Sequence, residues 1–296
     1  MIAGKVNFSF KECLWFLNRN FDDCLHTIGP DYVRKAILIN DQPVLFEIRE
    51  GLTIKVLSGD GSPDEFVRQW FDLDTDIQPF YEQLATHKDL AYMSRDFAGL
   101  RLMGIPDLFE AICWCIIGQQ INLTFAYKIK RRLVESYGRQ VLYEGQTYYT
   151  FPSPEVLADA DPVLLKNMQL SGRKIEYLRG IAQVFKEGKM SKDILLSLED
   201  VSAQQKALTA IRGIGIWTAN YTLMKTLRVP SAIPYGDAGL LNALMVHKII
   251  TDKKDLVSID RFFQHFKGWE SYLVFYLWRS LAPIITTTAA PDMLHQ

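Results

Sequence analysis

The sequence predicts an α+β chain in which a small N-terminal antiparallel α/β domain precedes a long helical array. Three observations carry that expectation. The 296 residues, set against a typical domain of roughly 150, give two domains or three small ones. Strand-like alternation is confined to residues 35–59. After residue 100, helix-start signals and apolar helical spacing follow one another almost to the end.

Within that β-rich region, KAILIN, DQPVLFEIRE and GLTIKVLSG are separated by Asn40-Asp41 and Gly51. Val44, Phe46 and Ile48 alternate with Leu45, Glu47 and Arg49, and Leu52, Ile54 and Val56 alternate with Thr53, Lys55 and Leu57. This is the pattern of an antiparallel meander. Helical spacing over residues 11–19 and 63–72 flanks it, which places a first domain at residues 1–92. Further on, Pro106 is expected to open a helix carrying Leu108, Ile112 and Ile116, and Asn122 to cap one carrying Ala126, Ile129 and Leu133. Asp161-Pro162 reads as a cap followed by proline at the first helical position, and Ser202-Ala-Gln-Gln205 as a capping box. The polar stretch 137–154 reads as a connection between helices.

Composition narrows the function classes. Hydrophobic residues at 48% and charged residues at 23% are those of a folded chain rather than a disordered one. The apolar runs at 111–118 and 272–278 fall well short of the roughly 18 residues that suggest a membrane span. Lys5, Lys11 and Glu12 interrupt the N-terminal apolar residues, so no secretory h-region is evident and a cytoplasmic location without membrane association is expected. Cys13, Cys24, Cys113 and Cys115 lack the spacing of a zinc or iron–sulfur site, and the apolar surroundings of the last two suggest buried thiols. Thirty-three basic against 34 acidic residues leave a net charge of −1, which neither proposes nor excludes a nucleic-acid partner.

The most informative segment runs from Leu208 to Leu227, where one apolar-periodic helix stops at Arg212-Gly213-Ile214-Gly215 and another begins at once. Glycines allow close approach of backbone to a ligand, and N–H groups at a helix start can grip a phosphate. A glycine cap between packed helices requires no ligand, so the motif alone fits either role.

The wider pattern decides between them. Ile211-Arg-Gly-Ile-Gly215 is followed by Trp217-Thr-Ala-Asn-Tyr221 and then by Pro234-Tyr-Gly-Asp237-Ala-Gly-Leu240. With these residues the chain resembles the helix-hairpin-helix (HhH-GPD) DNA glycosylase superfamily, most closely the AlkA-type 3-methyladenine DNA glycosylase II group. The similarity extends to Asp107-Leu-Phe-Glu-Ala-Ile, Gly118-Gln-Gln-Ile121, Leu170-Ser-Gly-Arg-Lys174 and the N-terminal domain, so it spans nearly the whole chain. The resemblance implies a TATA-binding-protein-like α/β domain followed by a two-lobed all-α core around a DNA-binding cleft. Residues 93–232 would then hold the hairpin and residues 233–296 the lobe carrying a catalytic aspartate. The implied activity is removal of damaged bases from double-stranded DNA by cleavage of the base–deoxyribose bond.

Breaking that bond builds positive charge on the sugar, so a fixed carboxylate beside C1′ is the expected device. Asp237 matches the family's catalytic aspartate. As the expected N-cap of the following helix, it would be anchored and favoured in its ionised form; without the upstream hairpin, capping alone would suffice to explain it. Bifunctional members carry a lysine two residues after the second hairpin glycine, where Trp217 stands here. Water rather than an amine is therefore the expected nucleophile. The iron–sulfur ligands of the endonuclease III branch are also missing, since no cysteine follows Cys115.

Alkylation at N3 or N7 makes a purine cationic, and aromatic faces attract such a ring. Trp217, Tyr221, Trp278 and Phe16 match aromatic pocket positions of the resembled group, though core packing alone would account for most aromatics at these spacings. Gln120 matches the side chain that fills the gap left by a flipped base, or else is a loop amide bonded to nearby backbone. The chemistry requires no cofactor. Family members bind a monovalent sodium or potassium ion through hairpin carbonyls in DNA complexes, which would be those of Thr209, Ile211 and Ile214. Lys128, Lys130, Arg131 and Arg132 point in several directions on a helix and read as a solvated face. His247 and His265 receive no role. The expected protein is a monomeric, monofunctional glycosylase for alkylated purines. An oxidised-purine glycosylase of the same superfamily and a catalytically silent DNA-binding module are its competitors.

Overall fold

Strand alternation and turn chemistry build the first part of the chain as expected. A computed structural model describes residues 7–19 and 23–282. Ser9 caps α1 (Phe10–Leu17), its hydroxyl accepting from the Glu12 N–H. There follow β1 (Thr27–Ile28), β2 (Tyr32–Ile39), β3 (Gln42–Arg49) and β4 (Thr53–Ser58), an antiparallel sheet in sequence order. Asn40 and Asp41, both at positive φ, make the β2–β3 turn, as hairpin twist favours. Val33 pairs with Ile48 and Ile48 with Ile54, so one sheet face carries apolar side chains toward the core.

Helices α2 (Asp64–Trp70), α3 (Gln78–Ala85) and α4 (Met93–Asp96) lead into the helical part. Here α5 (Leu108–Gly118) is capped by Asp107, whose carboxylate accepts from the Glu110 N–H at 2.7 Å. Pro106 therefore precedes the cap rather than opening the helix. Asn122 caps α6 (Leu123–Tyr137) as expected.

The stretch 137–154 departs from its reading as a plain connection, because it contains the hairpin β5 (Gln140–Tyr143) and β6 (Gln146–Tyr149). Val141 and Tyr148 pack with Ala36 and Leu45 in a small core of their own beside the main sheet. Helices α7 (Pro154–Ala158), α8 (Pro162–Asn167, capped by Asp161), α9 (Gly172–Lys186), α10 (Lys192–Leu196) and α11 (Val201–Thr209) follow. Asp200, not Ser202, caps α11 by accepting from the Ala203 N–H at 2.7 Å. The aspartate two residues earlier takes the helix start and leaves Ser202 inside it.

The chain then forms α12 (Ile216–Thr222), a π-helical turn (Leu223–Leu227), α13 (Ala238–Val246), α14 (Leu256–Gln264) and α15 (Glu270–Ser280). One continuous core joins sheet and helices, with Phe46 and Ile48 at one end and Phe80, Phe275 and Tyr276 at the other. No helix among the described residues is long and apolar enough to cross a membrane.

Candidate active site

Asp237 is the N-cap of α13. Its Oδ1 accepts from the Leu240 N–H at 2.8 Å and from Trp278 Nε1 at 2.9 Å, so cap and indole hold the same oxygen. Burial raises its carboxyl above the ordinary aspartate range, against the pull of those two hydrogen bonds. The half-buried carboxylate is thus fixed at a helix start beside an aromatic wall, but the expectation that capping favours its ionised form is not met on balance, because burial outweighs the cap and the helix dipole. Gly239 permits this closeness: a Cβ there would stand 3.1 Å from both Asp237 Oδ1 and Trp278 Cδ1.

The aromatic wall assembles from separate elements. Trp217 and Tyr221, four apart on α12, stack with centroids 5.3 Å apart and planes at 23°, the contact that helical spacing creates. Tyr221 lies 6.2 Å from Trp278 of α15. Phe275, one turn earlier on α15, touches Trp278 at 6.3 Å and Phe16 of α1 at 4.9 Å. All four expected aromatics therefore belong to one connected set next to Asp237, with Phe16 joined through Phe275. Phe16 and Tyr221 also face a cavity of about 60 Å³ whose further walls include Trp114, Tyr127, Asp23 and Lys130.

The hairpin lies between α11 and α12. Gly213 has φ +98° and a Cβ there would meet the Tyr177 ring at 2.5 Å, while Gly215 caps α12 with no side chain over its first N–H groups. Arg212 is exposed and ion-paired to Glu176 at 2.5 Å. Gln120 is exposed with φ +58° just beyond α5, and the neighbouring Gln119 donates to the Gly213 carbonyl at 3.2 Å, tying the end of α5 to the hairpin. As a prediction, Gly213→Ala combines an unfavourable backbone angle with a ring clash and destabilises the hairpin by roughly 1–3 kcal/mol. Its DNA affinity at fixed salt should fall about tenfold or more, read by fluorescence anisotropy with a melting curve alongside; unchanged affinity would remove the hairpin from binding.

Among backbone bonds of the described residues, the carbonyls of Thr209 and Ile214 accept none, and that of Ile211 accepts one from the Ile214 N–H at 3.1 Å. Neutral carbonyl oxygens free of backbone partners are the ligand type that sodium and potassium ions take.

Several supporting residues escaped the sequence reading. Asn220 donates to the Ile233 carbonyl at 2.8 Å and accepts from Gln205, linking α11 and α12 to the loop that delivers Asp237. Lys174 donates to the Ile117 carbonyl at the end of α5. Lys130 is no part of a solvated face: it is buried between Asp23 at 3.0 Å and Glu110 at 3.7 Å. His247 bonds Ser280, and the exposed His265 bonds the Arg261 carbonyl, both away from Asp237. Cys113 and Cys115 are buried free thiols.

Comparison with known proteins agrees with this architecture. Residues 113–267 match the family described as HhH-GPD superfamily base excision DNA repair protein, and residues 35–112 match the N-terminal domain of 8-oxoguanine DNA glycosylase. The chain is 37% identical over 287 residues to a DNA-3-methyladenine glycosylase of Bacillus subtilis, covering 93% of this chain and 94% of that protein. It is 31% identical to DNA-3-methyladenine glycosylase 2 of Escherichia coli, over 61% of this chain and 60% of that one. Among solved structures, a 3-methyladenine DNA-glycosylase from Archaeoglobus fulgidus superposes with a TM-score of 0.80 at 22% identity, covering 94% and 96% of the two chains. An 8-oxoguanine glycosylase/lyase of Clostridium acetobutylicum bound to double-stranded DNA superposes at 0.75 with 18% identity, covering 93% and 92%.

Proposed function

Since the chain belongs to the HhH-GPD superfamily of base excision DNA repair proteins, we propose that this DNA glycosylase is monofunctional and excises alkylated purines of the 3-methyladenine and 7-methylguanine type. One observation carries the reading: the aspartate at the start of α13 is hydrogen-bonded to an indole of the aromatic set that would receive the base. A cationic purine leaves readily once its sugar cation is stabilised, so the site needs a carboxylate and π faces more than it needs a proton donor.

In this reading the hairpin Arg212–Gly215 grips a backbone phosphate, with a sodium or potassium ion at the Thr209, Ile211 and Ile214 carbonyls when DNA is bound. That ion would neutralise phosphate charge beside the hairpin. Gln120 fills the gap in the stack as the damaged base flips out. Trp217, Tyr221, Trp278 and Phe16 receive the base, and Asp237 faces the developing oxocarbenium ion. Water completes the hydrolysis, and one chain suffices. Trp217 occupies the place of the amine that would form a Schiff base, which favours this reading over an oxidised-purine glycosylase/lyase.

The test uses duplexes carrying a single 7-methylguanine or a single 8-oxoguanine opposite cytosine, with and without borohydride. The expected outcome is release of 7-methylguanine alone and no trapped protein–DNA adduct. Preferential release of 8-oxoguanine, or a trapped adduct, would overturn the reading.

A further inference from the structure

Beneath the aromatic set lies a buried amine that the reaction as described does not use. Lys225 sits in the π-helical turn and has no exposed surface; such turns inside helices are frequent at functional sites. Its Nζ stands 4.1 Å from the centroid of the Phe16 ring and 4.7 Å from that of Phe275, and it donates to the Met103 carbonyl. Three segments far apart in sequence meet on this nitrogen: α1, the connection ahead of α5, and α15.

The contrast with Lys130 is instructive. That lysine is also buried, but Asp23 and Glu110 neutralise it. Among the described residues, the charged groups bearing on Lys225 are Arg228, which follows the π turn, and Arg19, which follows α1. Both are cations, and with burial they push its amine well below the ordinary lysine range. Burying an amine without a counter-charge is costly, and an apolar side chain of similar volume would fill the space without that cost. Its placement against two rings and a carbonyl is therefore the feature to be explained.

We propose that Lys225 is a positioning residue for base excision, pinning Phe16 and Phe275 and, through the contact of Phe275 with Trp278, fixing the indole that holds Asp237. Every link has a stated geometry: amine to Phe275 at 4.7 Å, Phe275 to Trp278 at 6.3 Å, Trp278 to Asp237 at 2.9 Å. The inference rests on the reading of Asp237 and its aromatic neighbours as the excision site.

The experiment compares wild type, Lys225→Met and Lys225→Gln in single-turnover release of 7-methylguanine from duplex DNA, with affinity for an abasic-site duplex measured in parallel. Lys225→Met is expected to slow release tenfold or more while affinity stays within twofold, because the hairpin is untouched. Lys225→Gln is expected to recover to within threefold, since a neutral amide can donate to the Met103 carbonyl and pack against both rings without burying a charge. Release by Lys225→Met at the wild-type rate, or equal losses in both variants, overturns the inference. Should Lys225→Met fail to fold, Phe275→Leu cuts the same link and must show the same split between rate and affinity; a wild-type rate there also overturns it. A wild type that releases no methylated base overturns the functional reading itself, whereas active wild type with equally active Lys225→Met overturns only the role of Lys225.

Discussion

Asp237→Asn is expected to bind lesion DNA within a few-fold of wild type and to lose about 100- to 1,000-fold or more in single-turnover excision. Removing one preorganised electrostatic group of this kind costs roughly 3–4 kcal/mol at the transition state. The substitution is sterically mild, because the asparagine carbonyl can still cap α13 and accept from Trp278, the two bonds that hold the aspartate at 2.8 and 2.9 Å. What is lost is the charge that, in the proposed mechanism, faces the sugar cation. A binding module without catalysis would have no excision to lose, so retained binding with lost release separates the two competing classes.

In the proposed mechanism the same residue sets the acid limb of activity. Burial raises the Asp237 carboxyl above the ordinary value of 3.8, and the ionised form is the one that works. Wild-type excision should therefore fall as pH drops through that raised value, earlier than an ordinary aspartate would dictate. For stability the sign is opposite. The folded chain binds the proton more tightly than the unfolded chain, so the ionised carboxylate at neutral pH is a small stability cost. Asp237→Asn removes it, and the variant should melt at the same temperature as wild type or higher.

The second large effect is on stability. Arg279, fully buried on α15, donates to Glu12 of α1 at 2.8 Å and lies over the rings of Trp15 at 4.9 Å and Phe97 at 4.6 Å. Truncating one partner of such a pair leaves the other charge buried without compensation, which costs roughly 3–5 kcal/mol. Arg279→Met is expected to lose stability on that scale in denaturant unfolding. Combining it with Glu12→Met should recover part of the loss, since no buried charge is then left alone. Because this pair clamps α1, and with it Phe16, onto the helix that carries Trp278, the single variant should lose excision along with stability. A single variant as stable as wild type would contradict the assignment of the pair as a clamp.

How far the sequence revealed these features follows their range in the chain. The meander was legible because its alternation and the Asn40-Asp41 turn are local, and the cap at Asp237 because an aspartate followed by an apolar helix is a short pattern. The β5–β6 hairpin was missed for an equally local reason. Its turn, Glu144-Gly145 at positive φ, lacks the usual asparagine or aspartate signal, and Leu142 is 73% exposed, so apolar alternation is poor. Its packing partners, Ala36 and Leu45, lie about a hundred positions away.

The site divides in the same way. Trp217 and Tyr221 can be paired by helical spacing, and the hairpin glycines by their motif. Long-range contacts were not readable: Trp278 reaching Asp237, Lys130 meeting Asp23, and Lys225 touching both Phe16 and Phe275 depend on how separate helices pack. Lys130 in particular looked like one member of a basic run, and only burial distinguishes it from its neighbours.

The central claim, hydrolysis of the bond to an alkylated purine with no strand cleavage, is tested most directly by incubating the protein with methylated DNA, resolving the released bases by chromatography, and examining the strands before and after alkali. The account predicts free 3-methyladenine and breaks that appear only after alkali. Tight DNA binding with no released base, or breaks present before alkali, would contradict it.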